Sequence, residues 1–203
     1  KRPVKNIIIT GNKEVKDYEI IEAANLKNYP SFISINKSKI TKTLKQNPFI
    51  KDVQIKKNLK FQITINVTEE KVVAYNLTNQ SYLLSNGTYI NDKNFLGVPQ
   101  LNNYTPEDVL KNFAEELGKL DEDIIADISE IEYSPSKNET GETIDSTRFK
   151  LKMKDGNTVY INVKKCNVLS YYNQIYASLK DKKGVLNLDS GNYERYVLTL
   201  YEE

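Results

Sequence analysis

The chain has 203 residues, 39% of them hydrophobic and 28% charged, which is enough apolar material for one large core or two modest ones and excludes a disordered chain. Histidine is absent and cysteine occurs once, at Cys166, so the usual general base, an internal disulfide and a zinc site are all excluded and every enzyme reading is weakened. No window approaches the roughly 20 apolar residues of a membrane span, and the net charge of +2 conceals a division: residues 1–71 hold 15 Lys and Arg against 7 Asp and Glu, a net of +8, and the remainder 14 against 20, a net of −6.

Such asymmetry points to a basic portion near an anionic surface and an acidic portion facing elsewhere. Nucleic acid is not the expected partner, because the lysines are scattered without the aromatic interleaving of a stacking platform.

Val4, Ile7, Ile8, Ile9 and Thr10 run into Gly11-Asn12, the pattern of a buried strand ending in a turn. Asp17 is positioned to cap a short helix with Ile20, Ile21 and Ala24 on one side. Ser38 opens a second helix with Ile40 and Leu44 four residues apart, and Asn47-Pro48 ends it, since the residue before proline avoids helical geometry. The period then changes to two: Ile50, Val53 and Ile55 lead to a turn at Asn58, and Phe61, Ile63, Ile65 and Val67 alternate with polar residues. Strand, helix, helix, strand, strand within about 70 residues predicts a three-stranded sheet covered by two helices.

A second region starts at Val72. Val73 to Leu77, Tyr82 to Leu84 and Thr88 to Ile90 are predicted strands, the last two joined by Asn86-Gly87, whose tolerance of positive φ favours a tight hairpin. Thr105-Pro106 starts a helix with a stripe of Val109, Leu110, Phe113 and Leu117, and Asp121 caps another containing Ile124, Ile125 and Ile128. Ser134 to Thr147 has no periodicity and reads as a mobile loop. Phe149, Leu151 and Met153 alternate with lysines up to Asp155-Gly156, and Val159, Ile161 and Val163 return, a hairpin with one basic face. Val168, Leu169, Tyr172, Ile175, Tyr176 and Leu179 fit a helical stripe. Val185 to Leu188 and Tyr193 to Tyr201 close the chain as strands. The expected class is α+β, with a first domain over residues 1–71 and a second, mostly antiparallel one over 72–203.

Two S-x-x-K spacings, Ser34 to Lys37 and Ser134 to Lys137, lack the companion motifs of a serine acyl transferase. Asp121 and Asp123 read as a helix cap and a solvated acid, not metal ligands. Cys166 reads as a small packing residue near a helix start. No glycine-rich phosphate loop is present, and no catalytic, cofactor or metal site is expected. The segment Tyr193 to Tyr201 stands apart because both of its faces carry aromatic or aliphatic groups. Two readings remain open for it: an internal strand, or an exposed edge completed by a partner's extended segment.

The stretches VKNIIITGN, SKITKTLKQNPFIKDVQIKK and FQITINVTEEKVVAY resemble a POTRA domain. Together with YLLSNGTYI, VPQL, MKDGNTVYINV and GVLNLDSGNY, they make the whole chain similar to the extracytoplasmic part of the FtsQ/DivIB cell-division family. Lys60 departs from that pattern, standing where the family often has proline, which implies a shorter hairpin at Asn58. The resemblance implies a POTRA domain (β-α-α-β-β) followed by a β domain, on the outer side of the membrane at the division septum and anchored by a single span before Lys1. It implies a non-enzymatic scaffold that recruits FtsL-like and DivIC/FtsB-like coiled-coil proteins and regulates septal peptidoglycan synthesis, with a septal peptidoglycan synthase as a further partner. By position, Leu188 to Gly191 match the turn before the last strand and Tyr193 to Tyr201 the strand that receives the partner. Leu188, Ser190, Tyr193, Tyr196, Leu198 and Leu200 are therefore the expected partner-binding residues. The alternative is a POTRA-type substrate-handling module of an outer-membrane assembly or transport machine, although such proteins usually repeat the unit and only one copy is present.

Overall fold

Alternation of apolar and polar residues fixes the first sheet. The computed structural model describes residues 2–190 and 197–201, and the chain divides into two compact units, Lys1–Lys71 and Val72–Glu203. The first runs β1 (Asn6–Thr10), α1 (Asp17–Ala23), α2 (Lys37–Leu44), β2 (Ile50–Lys57) and β3 (Gln62–Glu69). Its sheet order is β1-β3-β2, with β1 parallel and β2 antiparallel to the central strand. Ile63, Ile65 and Val67 on β3 are buried together with Ile20, Ile40 and Leu44 of the helices.

Local chemistry departs from expectation in four places. Strand β1 is an edge strand with one neighbour, so Ile7 and Ile9, in register with Ile63 and Ile65, are only half-buried and Ile8 is exposed. The cap of α2 is Asn36, not Ser38: its side chain accepts the Lys39 N–H at 3.0 Å. At α1 the helix begins with Asp17 itself, after Lys16, whose N–H donates to the Glu19 carboxylate at 2.8 Å. Phe61 is not in the strand either; it ends the β2–β3 turn at φ 58°, where the Asn58 side chain accepts the N–H groups of Lys60 and Gln62.

The second unit contains β4 (Val72–Asn76), β5 (Ser81–Leu84), β6 (Tyr89–Ile90), β7 (Gln100–Leu101), α3 (Glu107–Gly118), α4 (Glu122–Ala126), β8 (Ile128–Tyr133), β9 (Ser136–Lys137), β10 (Thr143–Asp145), β11 (Arg148–Met153), β12 (Thr158–Asn162), a 3-10 segment (Val163–Tyr171), α5 (Tyr172–Ser178), β13 (Gly184–Asn187) and β14 (Val197–Leu200). Nine of the strands form one sheet in the order β14-β13-β12-β11-β8-β7-β4-β5-β6. Five of its eight pairings are antiparallel and three parallel. With the first unit this makes an α+β chain whose second sheet is mostly antiparallel. The β5–β6 hairpin turns through the three residues Ser85, Asn86 and Gly87, of which only Gly87 has positive φ (83°), in place of the two-residue turn that Asn-Gly favours.

Strand β8 replaces what the sequence presents as the end of a helix. The Asp127 N–H closes α4 by donating to the Asp123 and Ile124 carbonyls, and Ile128 then opens β8 opposite Met153. A register shift between Lys152 and Met153 leaves Ser129 as an extra residue, so Ile128 and Ile131 both point inward although three apart. Its glutamates also cancel the basic face of the β11–β12 hairpin: Lys152 pairs with Glu130 at 2.9 Å and Lys150 with Glu132 at 3.9 Å. The Lys152 ammonium first, then the Asn102 amide, hold the Glu130 carboxyl below its ordinary range. The stretch read as a mobile loop is ordered into the β9–β10 pair, turned around Asn138, which accepts the Glu142 N–H at 2.8 Å.

One core underlies the sheet. Phe113 of α3 stacks on Phe149 of β11 at 3.8 Å and 8°, and Leu117, Cys166 and Leu169 join the same cluster. The segment read as one continuous helix is a nine-residue 3-10 stretch, capped by Asn162, followed by a short α5. Burial, more than the nearby Glu116, pushes the Cys166 thiol up to about 12. Because its folded value exceeds its ordinary value of 9.0, the stability it contributes is intact below about pH 9 and is lost as pH rises towards 12. Denaturant melts of the wild type should lose more stability over that window than those of Cys166→Ala. A thiol reagent should label the native chain only after unfolding.

Candidate partner-binding edge

Strand β13 carries the last strand of the sheet. It runs parallel to β12, with Val185 against Thr158 and Leu186 against Val159, and its first residue is tied down by buried Asn157, which accepts the Gly184 N–H at 3.0 Å. Asn157 in turn donates to the Tyr172 hydroxyl at 3.2 Å, and that hydroxyl donates to Asp155 at 2.5 Å. Burial first, then the bond to Asp155, push the Tyr172 phenol well above its ordinary range and keep it a donor.

Strand β14 pairs with β13 from Gly184↔Leu200 to Asn187↔Val197, and among the described residues it has no strand on its other side. The Tyr201 N–H donates to the Lys183 carbonyl at 3.2 Å, and the Tyr201 and Thr158 hydroxyls lie 2.7 Å apart. Since backbone groups alternate sides along a strand, Thr199 faces β13 together with Tyr201, and the N–H and C=O of Leu198 and Leu200 point outward. The opposite end of the sheet, β6, is only two residues long. The β14 sequence Val-Leu-Thr-Leu contains none of the charges or prolines that usually blunt an edge.

Gly184 is a structural requirement of this pairing. A Cβ on it would collide with the Thr199 carbonyl oxygen, so only glycine lets β14 approach there. Beyond β13, the Leu188 and Asp189 N–H groups both donate to the Tyr160 carbonyl, at 2.9 and 3.0 Å. The Asp189 carboxylate accepts from Arg148 at 2.8 Å, and the guanidinium lies 3.7 Å from the centre of the Tyr160 ring. Both charged side chains are mostly buried, so this clamp fixes the chain as it leaves β13.

The expected partner-binding residues fall into distinct places. Ser190 and Leu200 are exposed, Leu200 by 50%. Leu198 is in register with Leu186. Tyr193 and Tyr196 lie outside the described residues. Leu188 requires a correction: it is fully buried in the core cluster, so its side chain supports the sheet from within and offers no contact surface. Sequence reasoning passed over Gly184, Asn157 and the Arg148–Asp189 pair. Only Gly184 carried a local signal, as a glycine opening a strand.

Among the described residues no group of three or more His, Cys, Asp or Glu side chains is arranged to hold a metal, and no helix is long and apolar enough to cross a membrane. Residues 2–70 match the family model for the FtsQ-type POTRA domain. The chain is 31% identical over 198 residues to the cell division protein DivIB of Bacillus subtilis, covering 94% of this chain and 73% of that protein. It is 30% identical over 195 residues to DivIB of Listeria monocytogenes, covering 92% and 70%. A solved chain, the major extracytoplasmic domain of the trans isomer of DivIB from Geobacillus stearothermophilus, aligns at 24% identity with a TM-score of 0.44, over 56% of this chain and 96% of its own.

Two substitutions separate the supports of this edge. Gly184→Val should release β14 while the remaining strands stay paired, read as faster amide hydrogen exchange at Thr199 and Tyr201 with unchanged protection of β11 and β12. Asp189→Ala leaves Arg148 charged and mostly buried without its partner, and should cost about 2 kcal/mol in urea unfolding.

Proposed function

The chain belongs to the DivIB family of bacterial cell division proteins, and on that premise we propose that it is a non-enzymatic scaffold of the division septum whose second unit receives an extended segment of a partner along the open side of β14. Residues 1–71 form the POTRA domain and residues 72–203 the partner-binding β domain. The partners are the FtsL-like and DivIC/FtsB-like coiled-coil proteins that the family resemblance implies, and through them the chain regulates septal peptidoglycan synthesis. A membrane anchor outside this sequence holds both units on the outer side of the membrane.

The observation that carries this reading is the outward backbone of Leu198 and Leu200 on an uncharged terminal strand. Strand addition needs such a free ladder for affinity and side chains on alternate positions for selectivity. Ser190 and Leu200 are exposed beside it, and the Arg148–Asp189 clamp and the Gly184 contact hold it in place. The relatives align over both units, which favours this reading over a substrate-handling POTRA module.

Pull-down of purified DivIC-like and FtsL-like outer segments tests it. A chain ending at Asn192 should capture neither, while amide protection in β2 and β3 stays as in the full chain. Leu200→Pro removes one outward N–H and leaves the Thr199 and Tyr201 bonds to β13 available. It should weaken capture by about tenfold or more. Undiminished capture by the shortened chain would sink the reading.

A further inference from the structure

Three segments meet at one end of the first unit's sheet, and together they make a surface that the division scaffold reading does not use. The Pro3 and Ser31 backbones form a bridge, the Val4 N–H donates to the Pro30 carbonyl and the Phe32 N–H to the Arg2 carbonyl, each at 2.9 Å. The Lys5 N–H donates to the Phe61 carbonyl at 2.9 Å, which joins the β2–β3 turn to the same place. The Phe32 and Phe61 rings meet edge to face at 5.3 Å.

Cations surround these rings. The Lys57 ammonium sits 4.4 Å from the Phe32 ring centre and donates to the Phe32 carbonyl at 2.7 Å. Arg2 and Lys5 lie 5.3 and 5.8 Å from the Phe61 ring centre. Residues 1–5, 30–35 and 56–62 contain six Lys and Arg and no Asp or Glu. Among the described residues, Arg2, Lys5, Lys57 and Lys60 form no ion pair. The same segments carry two aliphatic side chains almost wholly in water, Ile33 at 82% and Leu59 at 97% exposure.

A single exposed leucine needs no explanation, but here two stand among uncompensated cations. Each half of that combination calls for something different. The cations attract any polyanion; the aliphatic side chains gain only from an apolar phase. A bilayer bearing anionic lipid supplies both within a few ångströms, whereas a soluble polyanion leaves Ile33 and Leu59 hydrated. We propose that this face is a peripheral membrane-contact surface, on which Arg2, Lys5, Lys57 and Lys60 engage anionic phospholipid headgroups while Ile33 and Leu59 enter the boundary between headgroups and acyl chains.

Flotation of the 203-residue chain with phosphatidylcholine vesicles, with and without phosphatidylglycerol, tests this. The chain should float with the anionic vesicles and not with the neutral ones, and added salt should release it. Each basic residue near an anionic surface strengthens binding about fivefold, so Lys5→Gln with Lys60→Gln should weaken it about twenty-five-fold. Ile33→Ser with Leu59→Ser should weaken it about tenfold. These positions are exposed, so the fold is retained; Lys57 is avoided because it holds the Phe32 carbonyl. Three results would each overturn the proposal: wild-type binding by the Ile33/Leu59 variant, inorganic polyphosphate competing the chain off the vesicles with equal effect on both variants, or an equal loss from neutralising Lys111 and Lys154 in the second unit.

Discussion

An open β-sheet has two ends, and the backbone donors and acceptors along each must be satisfied by something other than another of its own strands. In the second unit one end is reduced to two residues at β6. The other is β14, four residues without charge that pair with β13 on one side and, among the described residues, with no strand on the other. The local arrangements near it serve to keep that strand in register: Asn157 on the Gly184 N–H, the Tyr201–Thr158 hydroxyl pair, and the Arg148–Asp189 clamp over Tyr160. A receptive edge is useful only if it is rigid, because ordering it on binding would consume part of the association energy.

The sequence was legible wherever one residue's surroundings obeyed a simple period. Ile63, Ile65 and Val67 alternate without interruption and are buried as their spacing implies, and Asn86-Gly87 marks a hairpin, with Ser85 as a third loop residue. Strand β8 was hidden because the extra residue at Ser129 breaks the alternation and places inward residues three apart, a helical spacing. The 3-10 stretch after Asn162 was hidden for a related reason, since its buried Cys166, Leu169 and Tyr172 stand three apart, a spacing that a 3-10 turn and an α-helix share. At the candidate site the apolar character of the last strand was readable, but its supports were not. Arg148 and Asp189 are 41 positions apart, and nothing local distinguishes Leu188 from a surface residue until the sheet buries it.

Charge follows the same distinction between local composition and assembled structure. The alternate lysines of β11 suggest a basic stripe, yet β8 lays Glu130 and Glu132 beside them and the face becomes a ladder of opposite charges. Around Phe32 and Phe61 the three segments that converge contain no acidic residue, and among the described residues Arg2, Lys5, Lys57 and Lys60 form no ion pair. The net basic character of residues 1–71 is thus concentrated, at least in part, on one end of a sheet.

The order β4, β7, β8, β11, β12, β13, β14 across the second sheet is also the order of those strands along the chain. With the β5–β6 hairpin set aside on the far side, each strand synthesised later docks on the margin left by its predecessor, so the growing sheet repeatedly offers a vacant place to the next stretch of polypeptide. Among the described residues β14 is the last of that succession. A segment arriving from another protein would occupy the next place in the series, and intermolecular assembly would then continue, step for step, the process that folds the monomer.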